Sequence, residues 1–259
     1  MEVIILCGGL GTRLREETEF RPKPMVNIGT RPILWHIMKT YAHYGHTDFL
    51  LPLGYKGEMI RDYFVNYEWM NNDITLELGN RSNVCMHGCH EETDWRITMS
   101  NTGQHTLKGG RIKKMEKYVK GDTFMLTYGD GVANIDIPAL LDFHHSHGKI
   151  VTVSGVNPAQ RFGELKTDGD RVLAFQEKPV HTTCELINGG YFVFDRKIFD
   201  YLTPDEDCDL EYGPLEDLAA KGELMVYRHE GFWACMDTLR DTEHLNKLWD
   251  QDKAEWKVW

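Results

Sequence analysis

The apolar run Val3-Ile4-Ile5-Leu6 leads almost directly into Gly8-Gly9-Leu10-Gly11-Thr12-Arg13. An unbroken apolar tetrad stopped by glycines predicts a strand buried on both faces. Such a strand belongs to a sheet covered by helices on each side. The following segments alternate accordingly. Ile33–Tyr44 places Ile33, Leu34, Ile37, Met38 and Tyr41 on one helical face, with Pro32 at the first turn. Strands are expected at Phe49–Leu53, Phe124–Tyr128 and Ile150–Val156, with helices at Gly57–Tyr67 and Pro138–His147. This pattern predicts an α/β chain with a Rossmann-like mixed, mostly parallel sheet flanked by helices. Ligands of such sheets bind beyond the carboxyl ends of strands. The loops after Leu6 and Tyr128 are the two that carry chemistry.

Nothing splits the 259 residues into units, so one domain over 1–259 is expected. The irregular, polar stretch 68–103 reads as an insertion, with strand-like pieces at Ile74–Leu78 and Trp95–Ser100. Further strands are expected at Arg171–Gln176 and Ile187–Asp195. Helices follow near Arg196–Leu202 and Pro214–Lys221, and a last one over about 238–250.

Twenty-nine basic and 40 acidic residues give a net charge of −11, which disfavours nucleic acid as a partner. A phosphate site in such a chain needs a local basic pocket and is expected to use a divalent cation. No run approaches the length of a membrane span, and no signal-peptide pattern opens the chain. Cys7, Cys85, Cys89, Cys184, Cys208 and Cys235 are therefore expected to stay reduced in a cytoplasm.

Consecutive N–H groups of the glycine loop can surround a phosphate, and Arg13 can add a bidentate contact. A ligand-free glycine turn remains an alternative. The loop is not a Walker loop, because no Gly-Lys-Ser/Thr follows. It fails the dinucleotide fingerprint because Leu14 stands where a third small residue is needed. Lys23 lies between Pro22 and Pro24, whose fixed φ stiffens the backbone that presents its ammonium. A solvated lysine is the plainer alternative. Two carboxylates, Asp130 after Tyr128-Gly129 and Asp237 after Phe232-Trp233-Ala234-Cys235-Met236, suit a Mg²⁺ site if they converge. Each also reads as a local residue, Asp130 in a turn and Asp237-Thr238 at a helix N-cap.

Together these segments resemble the sugar-nucleotide pyrophosphorylases and, among them, the cytidylyl branch. The likeness is carried by GGLGTRLREET, RPKPMVNIG, RPILWHIMKTYAHYG, Gly109-Gly110-Arg111, LTYGDGVANIDI, FQEKP, INGGYFVF, GELMVYRHEGFWACMDTLRD and KAEWKVW. The resemblance implies a nucleotidyltransferase fold. It also implies a Mg²⁺-dependent reaction of CTP with α-D-glucose 1-phosphate that yields CDP-glucose and pyrophosphate. CDP-glucose serves deoxysugar and surface-polysaccharide (O-antigen) synthesis, and a homo-oligomer is implied.

By the same resemblance, Leu6, Cys7, Gly8, Gly9, Leu10, Gly11, Thr12 and Arg13 form the nucleotide loop. Lys23 touches the phosphates, and Thr106 and Arg111 bind nucleotide. Gly129 and Asp130 match the YGDG site. Asp130 and Asp237 are the metal ligands, Lys178 holds the sugar phosphate, and Asn188 and Gly189 line the sugar pocket. Cys7 and Thr106 depart from the usual Ala and Ser.

Other features admit plainer readings. Cys85-x-His87-x-Cys89-His90 has zinc-ligand types but lacks a second pair at zinc spacing, so a surface loop is expected. His144, His145 and His147 are expected to face solvent or the helix dipole. Trp233, Trp249, Trp256 and Trp259 are expected in the core or at subunit contacts. The apolar last helix with its trailing Trp could serve an oligomer. Rival functions are the same transfer with another NTP or sugar phosphate, a non-catalytic nucleotide-binding homologue, and a NAD-binding dehydrogenase.

Overall fold

Strand β1 (Glu2–Leu6) runs through the middle of the molecule, and its alternation divides the core in two. Val3, Ile5 and Cys7 face one apolar cluster, and Ile4 faces the other. The computed structural model describes residues 1–79, 83–157, 164–168, 171–176 and 186–259. Six more strands build the central sheet: β2 (Asp48–Leu53), β3 (Arg96–Asn101), β4 (Thr123–Tyr128), β5 (Val151–Val156), β6 (Ile187–Asp195) and β7 (Leu224–His229). Their spatial order is β7-β5-β6-β4-β1-β2-β3. All neighbours are parallel except at β6, which is antiparallel to both β5 and β4. The expected mostly parallel sheet is therefore present, with one reversed strand.

Helix α1 (Ile33–His43) lays its predicted stripe against the first cluster, and Ile33, Leu34, Ile37, Met38 and Tyr41 are all fully buried. Helix α2 (Gly57–Val65) stops short of the expected end, and a separate turn, Tyr67–Asn71, follows it. Helix α3 (Lys108–Met115) packs Ile112 and Met115 into the second cluster on the opposite face. Helix α4 (Ile137–His147) starts at Asp136, which accepts from the Ala139 N–H, and ends at Gly148 with φ 62°. Helix α5 (Leu239–Asp250) is fixed by a capping box between Thr238 and Asp241. No helix among the described residues is long and apolar enough to cross a membrane.

Two differences from the sequence reading have physical causes. The second half of the 68–103 stretch is β3, paired to β2 from Arg96 through Asn101. It reads as polar because it is an edge strand with only one neighbour. The first half forms the hairpin Asp73–Leu76 with Val84–His87. His144 does not face solvent: its ring is 4% exposed, and Nδ1 lies 2.9 Å from the Thr152 hydroxyl. His147 Nε2 meets the same hydroxyl at 2.8 Å, so this i, i+3 pair faces β5. The aromatic C-terminus packs into the core of its own chain, one of the two placements expected for its tryptophans. Trp256 is fully buried, and its indole N–H points at His36 Nδ1, 3.4 Å away. Trp249 and Trp259 pack against the same cluster.

His36 Nε2 lies 3.0 Å from the Ile28 carbonyl, so it carries the ring proton and Nδ1 accepts from Trp256. Burial is the main cause that lowers both His36 and His144 to about 4. The unfolded chain binds these protons at about 6.5. Below that pH the unfolded state holds more protons than the folded state. The stabilisation from neutral His36 and His144 is thus complete above about pH 6.5 and is lost as pH falls through about 4. Urea unfolding across this range should show a decline, and His144→Asn should flatten part of it. A curve with no slope between these limits would contradict the burial argument.

Candidate functional site

The glycine loop crosses the carboxyl end of β1. Cys7 still bridges Leu53 of β2, while Gly9, Leu10 and Thr12 are exposed. Two glycines are required for different reasons. A Cβ on Gly8 would lie 2.1 Å from Arg111 Cζ. Gly11 has φ +63°, and its Cβ would lie 2.6 Å from the Thr18 methyl carbon. The loop then closes into the short helix Arg15–Thr18, where the Thr18 hydroxyl donates within reach of the Gly11 and Leu14 carbonyls at 3.0 and 2.8 Å.

Arg111, 4% exposed, stands behind this loop. Its Nη2 donates to the Gly8 carbonyl at 2.8 Å and to that of Gln104 at 3.2 Å. Its Nη1 meets the Leu53 carbonyl at 3.2 Å, the Thr102 hydroxyl at 2.8 Å and the Gly103 carbonyl at 2.7 Å. One guanidinium thus ties together the loops that follow β1, β2 and β3. Thr106, 3% exposed, donates to the Thr102 carbonyl at 2.7 Å and accepts from Lys114 at 3.3 Å. Both Nη atoms of Arg111 and the Thr106 hydroxyl are engaged by the chain itself, so in this structure they shape the glycine loop from within.

The two acidic residues converge. A Cβ on Gly129 would lie 2.4 Å from the Leu6 carbonyl oxygen, so only glycine lets β4 end this close to β1. The short antiparallel pairing of Gly131–Ala133 with Trp233–Cys235 then sets Cys235 opposite Gly131. The Met236 N–H donates to the Asp130 carbonyl at 2.8 Å, so Asp237 emerges beside Asp130. Helix α5 is capped by Thr238 rather than Asp237, which leaves the Asp237 carboxylate to the site.

Lys23, in the turn Lys23–Met25, sits between the two carboxylates and is 8% exposed. Its Nζ lies 2.6 Å from Asp130 Oδ2 and 2.6 Å from Asp237 Oδ1. Arg13, exposed, reaches Asp237 Oδ2 at 2.7 Å. Burial opposes the charge on Lys23, but Asp130 and Asp237 outweigh it and raise its pKa. Burial likewise pushes Asp237 upward, and Lys23 and Arg13 reverse this and hold it below the usual carboxylate range. Cys235 Sγ also lies within 4.8 Å of both carboxylates, and burial keeps its thiol protonated. The donor set fits a hard divalent cation: two carboxylate oxygens converge on a point already occupied by positive charge.

The Cys85–His90 loop forms no such cluster. His87 pairs with Thr75, and His90 lies beside Glu68 and Glu92. Asp130, Cys235 and Asp237 make the one metal-compatible group among the described residues.

A second polar group borders the site. Tyr128, last in β4, donates to Glu211, which also pairs with Lys108. The Asn188 amide nitrogen lies 3.0 Å from the Tyr128 hydroxyl. The Gly189 carbonyl accepts from the Trp233 indole at 2.7 Å. Glu211 and Lys108 escaped the sequence reading, since no spacing signal joins Glu211 to Tyr128 across 83 positions. Lys178 and Cys184 lie outside the described residues.

The sequence profile of the nucleotidyl transferase family matches residues 2–251. Glucose-1-phosphate cytidylyltransferase of Salmonella typhi is 46% identical over 260 residues, covering all of both chains. Among solved structures, HddC of Yersinia pseudotuberculosis superposes with a TM-score of 0.69 at 23% identity, covering 96% of this chain and 99% of that one. UDP-glucose pyrophosphorylase in complex with UDP-glucose superposes with a TM-score of 0.68 at 16% identity, covering 97% and 98%. The chain belongs to the nucleotidyl transferase family.

Arg111→Met retains the buried stem and removes every guanidinium contact. It should cost about 2–4 kcal/mol, since it strands several buried carbonyls. Urea titration measures this cost. Hydrogen exchange at Gly8–Thr12 should accelerate, and unchanged exchange would show that the loop does not depend on Arg111.

Proposed function

We propose that this chain transfers a cytidylyl group from CTP to α-D-glucose 1-phosphate, releasing pyrophosphate and forming CDP-glucose. The observation that carries this reading is Lys23 held between Asp130 and Asp237 at the mouth of the glycine loop. The full-length likeness to the Salmonella cytidylyltransferase supports the choice of base and sugar.

A phosphate oxygen of glucose 1-phosphate attacks the α-phosphorus of CTP, and the bond to pyrophosphate breaks in line. Both reactants are anions, so the protein must neutralise charge and position them. No nucleophile from the chain is required. The exposed Arg13 meets the triphosphate, and Lys23 exchanges its two carboxylates for phosphate oxygens. Backbone N–H groups from Gly8 to Thr12 surround the nucleotide. Arg111 and Thr106 keep that loop in shape. Asp130 and Asp237 would hold Mg²⁺, which would supply further charge neutralisation on the triphosphate. Lys178 is assigned the attacking phosphate, and Asn188 and Gly189 the sugar.

This reading carries the other implications of the resemblance with it: a cytoplasmic homo-oligomer whose product feeds deoxysugar and O-antigen synthesis. Light scattering on the purified protein measures the assembly.

Pyrophosphate release with four NTPs against glucose, galactose and mannose 1-phosphates tests the function. CTP with glucose 1-phosphate should dominate and should stop on chelation. A different dominant pair would overturn the base and sugar assignments, and silence in every pairing would overturn catalysis. Asp130→Asn and Asp237→Asn should each lower kcat by about 100-fold or more while the fold survives. Wild-type turnover in either would remove the metal assignment. Lys178→Ala should raise the KM for the sugar phosphate more than the KM for CTP, and the reverse order would move Lys178 to the nucleotide.

A further inference from the structure

Tyr128, Glu211, Lys108 and Asn188 form a polar chain whose hydrogen-bond directions can be deduced. The Glu211 carboxylate, paired with Lys108 Nζ, can only accept hydrogen bonds. The Tyr128 hydroxyl has one proton and gives it to Glu211. Its oxygen can then only accept from its other partner, 3.0 Å away on Asn188. That partner must be the amide nitrogen. A separate contact imposes the same orientation: Asn188 Oδ1 lies 2.8 Å from the Gly190 N–H, a donor. Lys108 also sits 4.9 Å from the centre of the Tyr128 ring, pressing it into place. On the other side, Gly190, with φ +79°, brings its backbone so close that a Cβ there would lie 3.0 Å from the ring.

The carboxamide of Asn188 is therefore held at both ends, and the residue is exposed. It has one further N–H and one further carbonyl lone pair. A paired donor and acceptor suits two neighbouring hydroxyls of a sugar ring. The register of β6 on β4, with Tyr191 opposite Thr127, carries Asn188 past the end of β4.

We propose that Glu211 is a specificity-determining positioning residue: acting through the Tyr128 hydroxyl, it locks the Asn188 carboxamide in the one orientation that reads hydroxyls of the sugar phosphate. This inference rests on the sugar-phosphate reading above and adds how the sugar is recognised.

Glu211→Gln tests it, because a carboxamide can donate as well as accept and so releases the direction of the Tyr128 hydroxyl, leaving the Gly190 N–H alone to orient Asn188. The KM for glucose 1-phosphate should rise about tenfold, the worth of one well-placed hydrogen bond, while the KM for CTP stays within about twofold. The preference in kcat/KM for glucose over galactose 1-phosphate should fall by a similar factor. A purely structural role would move both KM values together and leave that preference intact. Tyr128→Phe keeps the ring and its packing and should give the same split, so a poorly folded Glu211→Gln does not end the test. Both variants with wild-type sugar-phosphate KM and wild-type preference, or with equal rises in both KM values, overturn the proposal. If the wild-type enzyme prefers another sugar phosphate, the same split is read with that substrate. A wild-type protein inert toward every pairing overturns the catalytic reading as well, whereas an active wild type with unmoved variants overturns this inference alone.

Discussion

Two aspartates that meet in a half-buried cleft repel each other unless a cation stands between them. Lys23 is that cation, and much of the surrounding architecture holds it at 2.6 Å from each carboxylate. Pro22 and Pro24 stiffen the turn that carries it. Gly129 lets β4 finish against β1, which places Asp130. The two-stranded pairing of Gly131–Ala133 with Trp233–Cys235 delivers Asp237 from the far end of the chain. Under the proposed function, phosphate oxygens would take over Lys23 while a divalent cation would take over Asp130 and Asp237, so charge would stay balanced as the contacts exchange.

The two arginines at the glycine loop differ in burial. Arg111 is inside, and its donors fasten three loops to one another. Unsatisfied carbonyls at that depth would be costly, so its role is permanent. Arg13 is itself exposed, while its partner Asp237 is mostly covered. The proposed function gives Arg13 the incoming triphosphate, for which it would have to leave this carboxylate. Beside them, Tyr128 joins Glu211 to Asn188, so the end of β4 carries both this polar group and, two residues on, Asp130.

Local order was legible in the chain because its signals are local. Val3–Leu6 before the glycines marked the central strand, the five-residue stripe of α1 marked its buried face, and Thr238 before Leu239 marked the start of the last helix. β3 was only half legible. Arg96, Thr98 and Ser100 give it the look of an insertion, and its place in the sheet comes from pairing with β2. The histidines at the end of α4 looked like a solvated helix terminus, but Thr152 on a neighbouring strand turns two of them inward.

By itself, then, the sequence determined the layered α/β class, the position of the glycine loop and the identities of the charged residues that a phosphate site needs. Periods of 2 and 3.6 residues carry that information, and they act over a single strand or helix. The tertiary structure alone decided which of those residues meet. Lys23 reaches Asp130 across 107 positions and Asp237 across 214, and Tyr128 reaches Glu211 across 83. It also turned Arg111 inward, against the carbonyls of the loops around it. The reason is geometric. Such meetings are set by sheet register, by the order in which strands are laid side by side and by close approaches that only glycine permits. None of these has a period along the chain.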